Sequence, residues 1–188
     1  MKGSDSKPHI GIFGRRNNGK SSLINSLTGQ DVAIVSDVPG TTTDPVKKSI
    51  EINGIGPVVM IDTAGMDDFG DLGNKRVGKT RQVIKNIDLA IIVLSGNLFG
   101  EPELDLIAEL DSWEVPSILV HNKSDVLPAS KELIHSLPEG MESRIVDYST
   151  THPGNKEAVI SLIRKNIPET AYLSKSLVGD IISQGDLV

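Results

Sequence analysis

The chain has 188 residues, 38% hydrophobic and 23% charged, which suits a globular domain with a real core rather than a disordered segment. Its 25 acidic and 19 basic residues leave a net charge of −6, which argues against a general nucleic-acid or membrane-surface binder. It contains no cysteine, which excludes disulfides, thiolate zinc sites, iron–sulfur ligation and a cysteine nucleophile within the chain and fits a cytoplasmic setting.

Met1 to Pro8 is polar, lacks the apolar stretch of a signal peptide and reads as a disordered tail. His9 to Phe13 reads as a buried strand that runs into a glycine-rich turn, and Lys20 to Thr28 as a helix with Leu23, Ile24 and Leu27 on one face. Gln30 to Thr43 is polar and proline-broken, hence a loop. Val46 to Ile52 alternates as a half-exposed strand, Asn53-Gly54 signals a hairpin, and Val58 to Ile61 returns antiparallel. Met66 to Gly73 is a glycine- and aspartate-rich loop, followed by a helix over Lys75 to Asn86. Leu89 to Leu94 is a buried strand, far too short to span a bilayer. Pro102 to Ser112 is a helix, Ser117 to Val120 and Ile145 to Tyr148 are strands, and Asn155 to Ile167 is a last helix. The alternation implies an α/β three-layer fold with a six-stranded, mostly parallel sheet and one antiparallel edge strand. The expected organisation is a tail over 1–8, one domain over 9–170, and a segment over 171–188 leading toward further domains.

Gly14-Arg15-Arg16-Asn17-Asn18-Gly19-Lys20-Ser21 matches G-x-x-x-x-G-K-[ST], the phosphate-binding P-loop, between a strand and a helix. Gly14 and Gly19 let backbone N–H groups turn around phosphates, with the helix dipole adding to the anion site. Lys20 supplies a point charge to the β- and γ-phosphates, and the Ser21 hydroxyl suits Mg²⁺. Asn17, Asn18 and Ser22 complete this loop. Asn122-Lys123-Ser124-Asp125 follows a strand at the carboxyl edge of the sheet. A carboxylate at Asp125 accepts two hydrogen bonds from the N1–H and 2-amino group of guanine, a donor pair that adenine lacks. The Asn122 amide can reach the base edge and the Lys123 stem can cover its face. Asp62-Thr63-Ala64-Gly65 ends a strand and opens a loop: Asp62 would hold Mg²⁺ through water, and the Gly65 N–H would sense the γ-phosphate.

In this order the motifs resemble a translation-factor-type GTPase domain, a three-layer P-loop NTPase fold, over almost the whole chain. Gly40-Thr41-Thr42-Thr43-Asp44 resembles the G-T-T-R-D segment of the MnmE, Era and EngA branch. That likeness implies that Thr42 ligates Mg²⁺ in the triphosphate state and that Asn17 binds K⁺, as in potassium-activated members. Ser149-Thr150-Thr151 stands where the family has S-A-K, so base contacts at Ser149 and Thr150 would come from backbone. Within the branch the likeness is closest to the HydF family, the GTPases of [FeFe]-hydrogenase maturation. It rests on Gly14 to Asn17, Gly19 to Asn25, Ile34 to Val46 and Leu177 to Val188. It implies hydrogenase maturation proteins as partners; the net charge of −6 and the short apolar runs lead us to expect no nucleic acid and no membrane. It also implies a dimerisation domain and a cysteine-bearing cluster domain beyond this chain.

Met66 stands where Ras-like enzymes carry a water-orienting glutamine, Lys75 where MnmE carries a glutamate, and Thr43 where the branch carries arginine. Asp67, Asp68 and Asp71 are the candidates for positioning water. Arg15 and Arg16 read first as solvated, with contact to nucleotide or to another domain as the alternatives, His121 as packed rather than catalytic, and Trp113 as a partly buried packing residue. The expected activity is slow, K⁺-activated hydrolysis of GTP with nucleotide-dependent switch loops. The rival readings are a nucleotide-gated interaction module with incidental hydrolysis and an Era-type GTPase linked to RNA or the ribosome.

Overall fold

A computed structural model describes residues 7–28, 35–37, 46–63 and 81–172. Its strands are β1 (His9–Gly14), β2 (Val35–Asp37), β3 (Val46–Ile52), β4 (Gly56–Asp62), β5 (Leu89–Leu94), β6 (Ser117–His121) and β7 (Ile145–Asp147). The helices are α1 (Lys20–Thr28), α2 (Glu101–Ser112), α3 (Lys131–Ser136) and α4 (Lys156–Asn166). The strands form one sheet in the order β2-β3-β4-β1-β5-β6-β7. β1 lies parallel between β4 and β5, and β5-β6-β7 continue parallel. The expected six strands are joined by a seventh, β2, which pairs antiparallel with β3 inside the stretch read as a loop. Three residues are too few to show an alternation, so β2 carries no periodic signal.

The interior divides along the two faces of the sheet because strand side chains alternate. Ile10, Ile12, Leu89, Ile91 and Val93 face α1 and α4, meeting Leu23, Leu27, Val159 and Ile163. Phe13, Ala90, Ile92 and Leu94 face the other way, toward Leu106, Ile107 and Leu110 of α2 and Leu133 of α3. β5 is buried at all six positions, as a central parallel strand covered on both faces must be. The hairpin turns at Asn53-Gly54, with Gly54 at φ 85° and the Ile55 N–H donating to the Ile52 carbonyl at 2.9 Å. The return strand starts two residues earlier than the sequence suggests, pairing Gly56 with Ile52.

Smaller differences arise at the ends. Pro8, read as part of a disordered tail, is buried and its carbonyl accepts from the Val59 N–H at 2.8 Å, so it packs with the domain. Of the helix expected over Lys75–Asn86, residues 81–84 are helical and 75–80 lie outside the described residues. A short 3-10 turn, Glu169–Tyr172, follows α4 and buries Ala171. No helix among the described residues is long and apolar enough to cross a membrane.

Candidate functional site

Parallel strands point their carboxyl ends the same way, so the segments after β1, β4, β6 and β7 share one edge of the sheet. The loop after β1 is held there by close contacts. A side chain on Gly14 would place its Cβ 2.4 Å from the Val93 carbonyl oxygen, so only glycine fits, at φ 140°. The buried Asn18 amide donates to that same carbonyl at 2.7 Å and ties the loop to the end of β5. Asn17 is left-handed at φ 66° and Gly19 at φ 89°, which turns the loop back on itself before α1. Lys20 is 6% exposed, and its ammonium donates to the Gly14 carbonyl at 2.9 Å and the Arg15 carbonyl at 3.1 Å. Ser21 and Ser22 stand exposed on the first turn of α1.

The segment after β6 is locked onto this loop. The Asn122 Nδ2 donates to the Asn18 carbonyl at 2.9 Å, and the Lys123 Nζ donates to the Asn17 carbonyl at 2.7 Å. Lys123 adopts φ 60°, uncommon for a residue with a side chain and frequent at functional turns. The Asn122 Oδ1 is buried with no hydrogen-bond partner among the described residues. An acceptor left so costs about 1–3 kcal/mol, and it suits a site that still has a donor to receive. The segment after β7 closes the far side. The buried Ser149 and the half-buried Thr150 follow Tyr148, whose carbonyl accepts from the Ser124 N–H at 3.1 Å. Asp125 is exposed, and the Ser149 hydroxyl, followed by Thr151 and the nearby His152, holds its carboxyl below the ordinary aspartate range against burial. At the end of β4, Asp62 is half-buried opposite Ile12, and the Thr63 hydroxyl donates to the Ile12 carbonyl.

The structure therefore gathers Gly14, Asn17, Asn18, Gly19, Lys20, Ser21, Ser22, Asp62, Asn122, Lys123, Asp125, Ser149 and Thr150 at one sheet edge. Thr42, Gly65, Asp67, Asp68 and Asp71 lie outside the described residues. The arrangement fits a nucleotide: a buried lysine inside a loop of turned peptides suits phosphates, and the two segments beyond it suit a base. Ser21 and Asp62 are hard oxygen donors of the kind Mg²⁺ selects.

Two neighbours of the site differ from expectation or are missing from it. Arg15 is only partly solvated, for it pairs in bidentate fashion with Glu103, Nε to Oε1 at 2.6 Å and Nη2 to Oε2 at 2.7 Å. Glu103 also accepts from the Gly100 N–H at 3.0 Å, so the start of α2 grips the P-loop. The available signal is a glutamate three residues after a glycine and next to a first-turn proline, a helix-start pattern. His121 is fully buried as expected, yet it is also a polar hub. Its Nδ1 lies 2.8 Å from Asp147 Oδ1, and its Nε2 accepts from the Asn97 N–H at 3.4 Å. Trp113, expected to be a partly buried packing residue, is exposed, with the Lys85 ammonium 4.8 Å from its ring centre.

The "tRNA modification GTPase MnmE" of Chromobacterium violaceum is 40% identical over 119 residues, 63% of this chain and 26% of that protein. That of Hamiltonella defensa is 33% identical over 184 residues, 93% of this chain and 38% of its own length. The chain thus spans well under half of these relatives. Among solved structures, Era from Aquifex aeolicus bound to GDP·AlF4⁻ superimposes with a TM-score of 0.65 at 24% identity, over 87% of this chain and 58% of that one, a likeness of fold. The family profile described as "50S ribosome-binding GTPase" matches residues 9–123, from the start of β1 through the lysine that grips the P-loop. With the P-loop, the D-x-x-G aspartate and the N-K-x-D segment assembled on one sheet edge, the chain belongs to that GTPase family as a GTP-binding domain.

Proposed function

We propose that this domain binds GTP with Mg²⁺ and hydrolyses it slowly to GDP and phosphate in the cytoplasm. The observation that carries the reading is the double link of Asn122 and Lys123 to the Asn18 and Asn17 carbonyls, which builds the base segment and the phosphate loop as one unit. In this reading Gly14, Asn17, Asn18, Gly19, Lys20, Ser21 and Ser22 surround the phosphates. Asn122, Lys123 and Asp125 read the base, with backbone contacts from Ser149 and Thr150. Ser21, Thr42 and, through water, Asp62 hold Mg²⁺, which neutralises charge building on the phosphate oxygens. Asn17 takes a K⁺ ion, Gly65 reports the γ-phosphate, and Asp67, Asp68 or Asp71 orients water. The test is phosphate release from GTP and ATP in wild type and Lys20→Ala. GTP turnover far above ATP turnover, lost in the variant, is expected. Equal turnover of ATP, or an active Lys20→Ala, contradicts the reading.

The biological setting proposed is [FeFe]-hydrogenase maturation, with maturation proteins and further domains as partners. Its support is the likeness of Gly14–Asn17, Gly19–Asn25 and Ile34–Val46 to the HydF family. The rest of the gene tests it: a downstream cysteine-bearing domain supports it, and an MnmE-type architecture contradicts it. A second reading, association with RNA, draws on the relatives' names and the family description. The net charge of −6 opposes it, and filter binding with tRNA and ribosomal RNA decides.

A further inference from the structure

The Asp125 carboxylate is held by a chain of hydroxyls. Its Oδ2 accepts from Thr151 Oγ1 at 3.1 Å. Thr151 has one hydroxyl proton, so having donated it to Asp125 it accepts from Ser149 Oγ at 2.8 Å. Ser149 in turn accepts from the His152 backbone N–H at 3.1 Å. Three successive donors thus run toward the carboxylate, and bonds aligned this way polarise one another. The chain is anchored at one end, where Ser149 is buried, and open at the other, where Thr151 and Asp125 are exposed. His152 Nδ1 also approaches this same oxygen, at 3.7 Å.

Holding Oδ2 matters because two donors on one base edge demand one plane of the carboxylate. A carboxyl group that pivots still receives a single donor but receives a pair poorly. Oδ2 keeps acceptor capacity for the base while bonded to Thr151, since a carboxylate offers about four lone-pair sites. In the free protein water competes for an exposed bond, so the contact adds little to folding. Beneath a bound base water is excluded and the same bond strengthens.

We propose that Thr151 is a specificity-determining positioning residue: by donating to Asp125 Oδ2 it fixes the carboxylate plane and so sets how strongly the 2-amino group of guanine is read. The inference rests on the reading of Asp125 as the guanine-selecting residue. The test is calorimetry of GDP and IDP with Mg²⁺, IDP lacking the 2-amino group, on wild type, Thr151→Val, Thr151→Ser and Asp125→Asn, beside urea unfolding. Thr151→Val is expected to weaken GDP about five- to tenfold and IDP less than about twofold, which narrows the GDP preference. Thr151→Ser should restore both affinities, and the urea midpoint should not move. An unchanged GDP-to-IDP ratio in Thr151→Val, whether both affinities stay or fall together, overturns the inference while Asp125→Asn loses GDP. Asp125→Asn that keeps GDP overturns the base reading, and the inference with it.

Discussion

The Lys20 ammonium sits in the middle of the P-loop, 2.9 Å from the Gly14 carbonyl and 3.1 Å from the Arg15 carbonyl, almost sealed from solvent. A burial this deep is costly for a cation unless its donors are used. The backbone of the glycine loop supplies part of that compensation, and phosphate oxygens are the natural further acceptors. Lys20→Ala should lower GTP turnover by about 10²–10³-fold, the usual loss when one preorganised donor to a charge-developing site is removed. Phosphate release under saturating GTP checks this, and wild-type turnover in the variant would remove Lys20 from the chemistry. Asn17 is exposed with a left-handed backbone, its carbonyl already engaged by Lys123. Its amide is thus the part of the residue left to act. If that amide helps to hold K⁺, exchanging K⁺ for Na⁺ at equal ionic strength should slow wild type by about tenfold or more. That is below the 10³–10⁵ of a fixed arginine, and the difference should vanish in Asn17→Ala. Equal rates in the two salts for wild type would refute the ion.

Between elements, the P-loop is braced on two sides, by α2 through Arg15–Glu103 and by the β6 segment through Asn122. Glu103 has 4% side-chain exposure and Arg15 39%. Removing the arginine strands a buried carboxylate, while removing both charges does not. Arg15→Ala should therefore cost about 2–3 kcal/mol, under the 3–5 of a fully buried pair because solvent reaches the arginine. Arg15→Ala with Glu103→Gln should recover part of that loss in urea unfolding. A double variant less stable than Arg15→Ala would show that packing of the glutamate, not its charge, governs the contact. On the other brace, a Cβ at Gly19 would lie 2.3 Å from Asn122 Nδ2, at a φ of 89° that side chains rarely adopt. Gly19→Ala should displace Asn122 from the Asn18 carbonyl and weaken GDP by about tenfold or more, at a stability cost of about 1–3 kcal/mol. Calorimetry and urea unfolding of one preparation separate the two effects. Unchanged GDP binding would mean that the two loops act independently.

Across the whole molecule, what could be read from the sequence is what repeats or matches a spacing. β5 and α1 lie where their apolar runs and periodicity put them. The P-loop and N-K-x-D segments meet because parallel strands deliver them to one edge. Features that depend on a partner far along the chain were not legible. Glu103 is 88 positions from Arg15, and a charged residue in a helix reads as solvent-facing until its partner is known. Thr151 lies 26 positions from Asp125, in a segment that departs from the family pattern. α3 is six residues long with only Leu133 buried, so its one local sign is Ser130, whose hydroxyl accepts from the Leu133 N–H at 3.1 Å. As a unit, the molecule joins two loops through Asn122 and Lys123, and the proposed reading makes them one site selective for guanine. The most direct measurement is the affinity of GDP and XDP for wild type and Asp125→Asn with Mg²⁺ present. The xanthine 2-oxo group needs a donor where guanine offers one, so the variant should lose about 1.5–3 kcal/mol of GDP binding and gain XDP. An Asp125→Asn protein that binds GDP as tightly as wild type and shows no gain for XDP would contradict the claim.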